Sequence, residues 1–478
     1  MLMGFFDSIF GRRRDQRRPV MVRAKYDAAA DSPENRRHWA NADALSADAS
    51  LSASVRKRLR ERARYEAANN SYARGIILTL SNDVVGTGPR LQLRTEDAEL
   101  NRRVEDAFDA WATHVRLADK LRCMRAARAE SGECFAVLVQ NSALPGEIKL
   151  DLRLVEADQV ASPSGALVGD GTVDGIEFDR FGNPVAYQLL RAHPGSGSSL
   201  AMQADRVPAA NVLHYYRSDR PGQSRGIPDI TPALPLFAQL RRYTLAVITA
   251  AETAANIAGT IETDAPADGA DQVEPLDLVE LDRNSLLTMP AGWKMKQVQA
   301  EQPTTTYGDF KREIINEIAR CLNMPFNVAA CNSASYNYSS GRLDHQTYYR
   351  SVRIDQQHMA DTVLDRVLRA WLDEAILVSG LIPPQMRMAA WPHEWFWPGQ
   401  EHVDPAKEAN AAQTRLETHT TTLAAEFARQ GKDWEAELRQ RSREIALMRE
   451  LGLPLSQQQP QQQNAPAIAP DGANDESE

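Results

Sequence analysis

The chain has 478 residues, of which 25% are charged, 43% hydrophobic and 7% aromatic, enough for two or three ordinary domains of a helix-leaning globular protein. A formal net charge of −9 argues against a protein that coats nucleic acid generally, and the lack of any run of 18 apolar residues excludes a membrane-spanning helix. Cys123, Cys134, Cys321 and Cys331 show neither metal-ligand nor redox spacing, and reduced intracellular thiols are the expectation.

The chain opens with an apolar stretch, Met1 to Phe10, followed by Arg12, Arg13 and Arg14. A secretory signal has the opposite order, so residues 1–53 read as a flexible basic arm, with a short interfacial anchor as the alternative. Residues 1–74 carry sixteen Lys and Arg against nine Asp and Glu. Helix is predicted from Ser54 as N-cap. The arginines between Arg56 and Arg64 read either as a solvated face or as a phosphate-contacting patch.

Asn69-Asn70 interrupts that helix and Ser71 is the expected cap of the next one. Ile76, Leu80 and Val84 mark its buried face, and Gly86-Thr87-Gly88 ends it, glycine tolerating the backbone of a helix terminus. A third helix places Leu100, Val104, Phe108, Trp111 and Val115 on one stripe. From Cys134 the period changes to two. Strands are expected at Cys134–Val139, Lys149–Val155, Gly175–Phe178, Val185–Leu190 and Val212–Tyr216, with Gly182-Asn183-Pro184 turning a hairpin. The resulting fold class is α+β and predominantly helical, with one α+β unit over residues 54–228.

Past Pro228, a long helix is predicted from the rhythm Leu236, Leu240, Tyr243, Val247, Ala250, Ala254 and Ile257. Between Glu262 and Asp309 lies an insert with ten acidic residues against three basic ones. It is either an ordinary solvated surface or a site that meets a basic partner. A helix follows over about Asp309–Leu322, with Phe310, Ile314, Ile318 and Leu322 on one face, and Met324-Pro325 stops it. The next sixteen residues, Phe326 to Gly341, contain no charged side chain. Helix resumes near Arg342 and runs to about Ser379, roughly 55 Å at 1.5 Å per residue. A loop of that length inside a domain is commonly functional or disordered.

Trp391, Trp395, Phe396 and Trp397, between Pro392 and Pro398, read as a rigid packed corner. Asp404-Pro405 starts a helix that Gly431 ends. Asp433 starts another, with Trp434, Leu438, Ile445, Met448 and Leu451 expected inward. The Gln- and Pro-rich tail over residues 454–478 reads as disordered.

No catalytic constellation has the required spacing. G-x-x-x-x-G-K-[ST] is absent, His393-Glu394 is not followed by a second histidine four residues on, and there is no G-x-S-x-G elbow. The chain is therefore expected not to be an enzyme and to need no cofactor or metal.

The order of parts nonetheless resembles one family, the portal proteins of tailed bacteriophages of the lambda type. The resemblance spans residues 54–452. It rests on Asn69 with Tyr72-Ala73-Arg74-Gly75 through Val84-Val85-Gly86-Thr87-Gly88, on Gly132-Glu133, and on His214-Tyr215 and Gly226-Ile227-Pro228. Tyr307 to Leu343 and Asp404-Pro405-Ala406-Lys407-Glu408 complete it. It implies a ring of about twelve copies at a capsid vertex of the virion, assembled in the host cytoplasm, through which double-stranded DNA is packaged and ejected. By that likeness residues 54–228 are a wing, 229–258 a stem helix, 259–308 an acidic clip and 309–324 the returning stem helix. Residues 325–341 are a tunnel loop, 342–402 the long helix and aromatic corner, and 403–453 the crown. The resemblance implies a DNA-facing set of Asn332, Ser333, Ser335, Tyr336, Asn337, Tyr338 and Arg342. It also implies docking of the terminase large subunit and head-completion or connector proteins at the clip through Asp268, Asp271 and Glu274. Major capsid and scaffold proteins are further expected partners. The competing readings are a nucleic-acid-processing head enzyme and a ring adaptor that never surrounds DNA.

Overall fold

The structure, a computed structural model, describes residues 32–33, 36–162, 171–256, 260–263, 293–296, 306–334, 336–383, 391–399 and 405–453. Both the N-terminal arm through residue 31 and the tail from residue 454 lie outside these residues.

A short helix α1 (Ala47–Ser50) precedes four helices: α2 (Ala53–Asn69), α3 (Ser71–Val85), α4 (Ala98–His114) and α5 (Leu117–Ser131). The junction of α2 and α3 is capped one residue earlier than expected. Asn70 Oδ1 accepts from the amides of Tyr72 and Ala73, and Ser71 is the first helical residue. Likewise Ser52, not Ser54, is the N-cap position of α2. The stripe Leu100, Val104, Phe108, Trp111 and Val115 is buried throughout.

The arginines of α2 are not a solvated face. Arg56 and Arg60 are buried, Arg60 holding Asp158 at 3.0 Å and Arg56 pairing with Asp174, while Arg64 reaches Asp158 at 2.7 Å. Arg58 and Arg62 remain outside. The helical spacing of four sends every fourth residue inward whatever its charge, and here acidic partners from the strand region meet them.

Strand β1 (Arg90–Leu93) was not evident in the sequence; it pairs with β11 (His393–Phe396). The central sheet has the order β3-β2-β8, from β2 (Glu133–Gln140), β3 (Leu150–Glu156) and β8 (Val212–Tyr216). Alternation divides its two faces. Cys134, Ala136, Leu150, Leu152, Leu213 and Tyr215 join the main core under the helices. Phe135, Val137, Val155 and Val212 join a smaller core with Ile176, Tyr187 and Leu189. Those last residues come from a second sheet, β4 (Thr172–Val173), β5 (Ile176–Phe178), β6 (Pro184–Leu190) and β7 (Ala204–Pro208), in sequence order. The β5–β6 hairpin turns at Gly182, as its φ of +83° requires.

Helix α6 (Leu234–Asn256) buries Leu234, Phe237, Leu240 and Val247 but leaves Leu245 and Ile248 about half exposed. A two-stranded ribbon, β9 (Thr260–Thr263) with β10 (Trp293–Lys296), forms within the acidic insert. Helix α7 (Tyr307–Arg320) buries Ile315, Ile318 and Ala319; Phe310 is exposed and lies against Tyr243 of α6, ring centroids 5.0 Å apart. After α8 (Phe326–Ala329) comes the long helix. It consists of α9 (Tyr338–Met359), one π-helical turn over Ala360–Leu364, and α10 (Asp365–Ala375). Trp371, fully buried, meets Phe108 and Trp111 of α4.

The aromatic corner packs as expected, with Trp395 tilted on Phe108 at 5.7 Å. The C-terminal region departs from expectation twice. Its first helix is broken into α11 (Pro405–Glu417) and α12 (Leu423–Arg429), because His419 takes a left-handed φ of +54° and Thr422 caps a new start. The second, α13 (Trp434–Glu450), has no buried residue, so its apolar stripe does not face inward. Among the described residues, Leu438, Leu447 and Leu451 remain 42%, 54% and 62% exposed.

Candidate functional site

The uncharged stretch is shorter and more ordered than its composition suggests. Pro325 accepts at its carbonyl from Val328 and Ala329, closing the single turn α8. Cys331 then reverses the chain with a φ of +50°. Ala330 to Asn337 is the remaining connection before α9 begins. Tyr338 and Arg342, expected in or just past the loop, are therefore helical residues in the first turns of α9.

The turn is folded on itself. The Asn332 amide donates to the Asn327 carbonyl at 3.0 Å, Asn332 Oδ1 accepts from Ala334, and the Tyr336 amide donates to Ser333 at 3.1 Å. Below it the Asn327 amide side chain meets His345 Nε2 at 2.9 Å, tying α8 to α9. Tyr336 turns inward. Its hydroxyl lies near Asp344 and the backbone of Phe326 and Asn327, and partial burial together with Asp344 raises its pKa. Its ring lies over Gly341, where a Cβ would stand 3.4 Å from Cδ1. Asn332, Ser333 and Asn337 are left exposed, and Arg342 is exposed one turn along α9. Ser335 and the side chain of Tyr338 lie outside the described residues, as do Asp268, Asp271 and Glu274.

One turn further along, the Tyr348 hydroxyl donates to Asp83 of α3 at 2.7 Å. Next come charges that sequence reasoning missed. Asp355 of α9 takes Arg125 at 2.9 Å and Arg128 at 3.0 Å, both from α5. Asp229 takes Arg125 at 2.9 Å and Arg217 at 3.4 Å. Arg125 and Arg128 are almost completely buried. Burial pushes Asp355 up, but the two arginines outweigh it and hold the carboxyl below its usual range. Their signal was present in the sequence: two arginines three apart on the same stripe as Leu121 and Met124.

A second buried cluster unites motif fragments far apart in the chain. Glu133 accepts from Arg225 at 2.7 Å, from the Gly226 amide at 3.0 Å, and meets His214 Nε2 at 2.9 Å. His214 is stacked between Phe135 and Tyr216 at 4.2 Å each, and burial lowers its pKa. Arg225 also donates to the carbonyls of Val160 and Ala157 at 3.0 Å and of Asp174 at 2.6 Å. Gly132 and Gly226 touch backbone to backbone: a Cβ on Gly226 would lie 2.2 Å from the Gly132 carbonyl oxygen. Gly132-Glu133, His214-Tyr215 and Gly226-Ile227 are thus one structural unit.

Glu156, Asp158 and His193 bring three ligand-type atoms within 4.8 Å of one another. Arg64 already pairs with both carboxylates and Arg60 with Asp158, which makes the group an ion-pair network in this structure.

Comparison with known proteins bears on what these clusters support. The family model for "Phage portal protein, lambda family" matches residues 33–356. A protein of Halomonas phage phiHAP-1 described as "Probable portal protein" is 26% identical over 432 residues, covering 83% of this chain and 81% of the relative. Among solved structures, the neck of an empty GTA particle computed with C6 symmetry aligns with a TM-score of 0.49 at 14% identity, over 77% of this chain and 92% of that one. An HK97 family phage portal protein from Corynebacterium diphtheriae aligns with a TM-score of 0.32 at 12% identity, over 73% of this chain and 98% of that one. The family match covers more than half of the sequence and includes both buried charge clusters and the uncharged turn: the chain belongs to the lambda family of phage portal proteins.

Proposed function

We propose that about twelve copies of this chain form a ring at a capsid vertex of the virion, with double-stranded DNA passing along its axis during packaging and ejection. In this reading Asn332, Ser333, Ser335 and Asn337 face the DNA, Tyr338 and Arg342 flank them, and Tyr336 anchors the turn from behind. The observation that carries the reading is the exposed, uncharged and internally hydrogen-bonded turn at the head of the long helix.

The physics favours such a surface. Duplex DNA carries one phosphate charge per ~1.7 Å of axis, and every phosphate neutralised by a cation strengthens binding through counterion release. A surface over which DNA must slide is best built from side chains with hydrogen-bonding capacity and no fixed charge. Twelve copies at −9 each would give about −108, a field that keeps DNA from adhering elsewhere. The acidic insert, with Asp268, Asp271 and Glu274, is the clip to which the terminase large subunit and then head-completion proteins dock. The wing is residues 54–228, the stem 229–258 and 309–324, and the crown 403–453. The ring acts as conduit and platform with no chemistry of its own.

Deleting Asn332–Asn337 is expected to leave ring formation intact while impairing DNA packaging or retention in particles. Wild-type packaging and retention with the turn removed would sink the assignment of the DNA-facing set. A purified protein that stayed monomeric in electron micrographs across concentrations and salts would sink the ring itself.

A further inference from the structure

One sequence motif is still without a role: the apolar stretch Met1–Phe10, followed over residues 11–18 by five arginines and a single acid, Asp15. Leu2, Phe5, Phe6, Ile9 and Phe10 recur at the three- and four-residue spacing of an apolar stripe. The folded part of the subunit holds a surface of matching chemistry. A cavity of about 1130 Å³ opens between the β1–β11 pair, α9 and the C-terminal helices. Its apolar wall is made of Trp395, Phe396, Trp397 and Trp434, all half-buried. Trp395 is tilted on Phe108 at 5.7 Å, whereas Phe396, Trp397 and Trp434 stack on no other ring among the described residues. The opposite wall is acidic. Glu96 and Glu435 line it, and Asp433 and Glu105 stand directly behind, held by Gln92 and the Leu93 amide of β1 at 3.1 and 2.6 Å. Of the cations in the lining, Arg94 is engaged by Glu394 and Arg429 by Glu426; Arg353 of α9 is the third. The negative charge is felt locally, since burial and then Asp433, Asp106 and Glu435 raise the pKa of Glu105.

We propose that this cavity is the seat of the subunit's own N-terminal arm, with Phe5, Phe6, Ile9 and Phe10 among the tryptophans and Arg12, Arg13 and Arg14 on the acidic wall. Aromatic side chains bury large apolar areas and pair well edge to face, and arginines complement clustered carboxylates. The path of the chain selects this occupant. Asp48 accepts from the amide and hydroxyl of Ser224 at 2.8 Å each, and Arg220 donates to the Leu45 carbonyl at 3.0 Å. The start of the folded chain is thereby fixed on the loop that follows β8. The last carbonyl of β8, that of Tyr216, is held at 2.8 Å by His358 of α9. Arg353 and Gln356, which line the cavity, are on the same helix, Arg353 only roughly 8 Å back along its axis. Twenty-five residues separate Phe10 from Arg36, an extended reach of up to roughly 85 Å. The arm in its seat would lie between the body and α13, supplying contacts to a helix that buries no residue of its own. The proposal concerns the single subunit and is independent of the ring.

The test keeps the full chain. With p-benzoylphenylalanine in place of Phe6, irradiation should join residue 6 to residues 393–398 or 422–435 of its own chain, as read by mass spectrometry on a mixture of isotopically light and heavy copies. Phe5→Asp combined with Phe6→Asp should speed hydrogen exchange at Trp395–Trp397 and in the first turns of α13 by of order tenfold, without moving the unfolding midpoint of the body. Reversing Arg12, Arg13 and Arg14 to Glu should speed exchange at the same places. Adding Glu96→Lys and Glu435→Lys to that reversal should bring the protection back. Adducts elsewhere, adducts between light and heavy copies, unchanged exchange in the Phe5 and Phe6 variant, or no rescue by the paired reversal would each overturn the seat. So would protection of residues 1–18 that develops only on adding phosphatidylserine vesicles, which would mark the arm as an interfacial anchor.

Discussion

The body of this subunit and its C-terminal helices α11–α13 are stabilised in opposite ways. The body encloses charge. Arg225 with Glu133, and Arg125 and Arg128 with Asp229 and Asp355, lie among apolar side chains and fasten α5, α9 and the central sheet to one another. The C-terminal helices enclose far less: α13 buries no residue, and the one buried charge of α12, Glu426, is held by the half-buried Arg415 at 2.9 Å, which also takes Glu408 at 2.8 Å. Such a difference is expected if the body is complete within one chain and the C-terminal helices are completed by contact with other copies.

The contrast is sharpest where charge is removed from the body. Arg225→Met would leave Glu133 buried and without its guanidinium, at a cost of about 3–5 kcal/mol. In a urea titration the body should unfold at much lower denaturant, and an unchanged midpoint would break the comparison. Acid should act on the same groups. Burial raises and the arginines lower Glu133, Asp158 and Asp355, with the arginines prevailing, so all three stand below their ordinary values. The stability they contribute is complete above the unfolded-state values near 4 and is lost as pH falls below them. Thermal melts should show a falling Tm below about pH 4, before α13 loses any contact of its own.

At the turn, Tyr336→Phe removes the hydroxyl that lies beside Asp344, for a loss of about 1 kcal/mol. Local exchange at Phe326–Asn337 should rise while global unfolding hardly moves. The smallest effect on the subunit is predicted for Leu438→Asp and Leu447→Asp, within about 0.5 kcal/mol. These same changes should nevertheless reduce ring formation, as measured by light scattering. A large loss of subunit stability in either variant would mean that α13 is anchored within its own chain after all.

These contrasts also explain what was legible in the sequence. Strand β2 could be read because Cys134–Val139 is a short, continuous apolar run, as burial of both faces demands. The stripe on α4 was legible for the opposite reason, its other side with Arg102, Asp106 and Asp109 being exposed. The α13 stripe was equally regular, yet periodicity tells only which side is apolar, not which chain covers it. Arg56 and Arg60 were misread because charge outweighed spacing, although Asp158 and Asp174 were waiting more than ninety residues away. Pairing of β1 with β11 joins segments 300 residues apart, and four-residue strands carry too little pattern to announce it. In the candidate site the absence of charge was plain, whereas the inward turn of Tyr336 depended on Gly341 and Asp344 after folding.

The π-helical turn at Ala360–Leu364 has a consequence at the level of the gene. Before it, Asp355 and His358 grip α5 and the carbonyl of Tyr216; after it, Arg366 grips the carbonyls of Val212, Ala209 and Ala210. A π-turn accommodates one residue more than a regular helix would. Loss of a single codon in this stretch would restore regular winding and leave the two halves of the long helix in nearly the same mutual orientation, whereas gain of a codon or loss of a second would rotate one half by roughly 100° against the other. Both grips should therefore survive removal of one residue here and no other change of length.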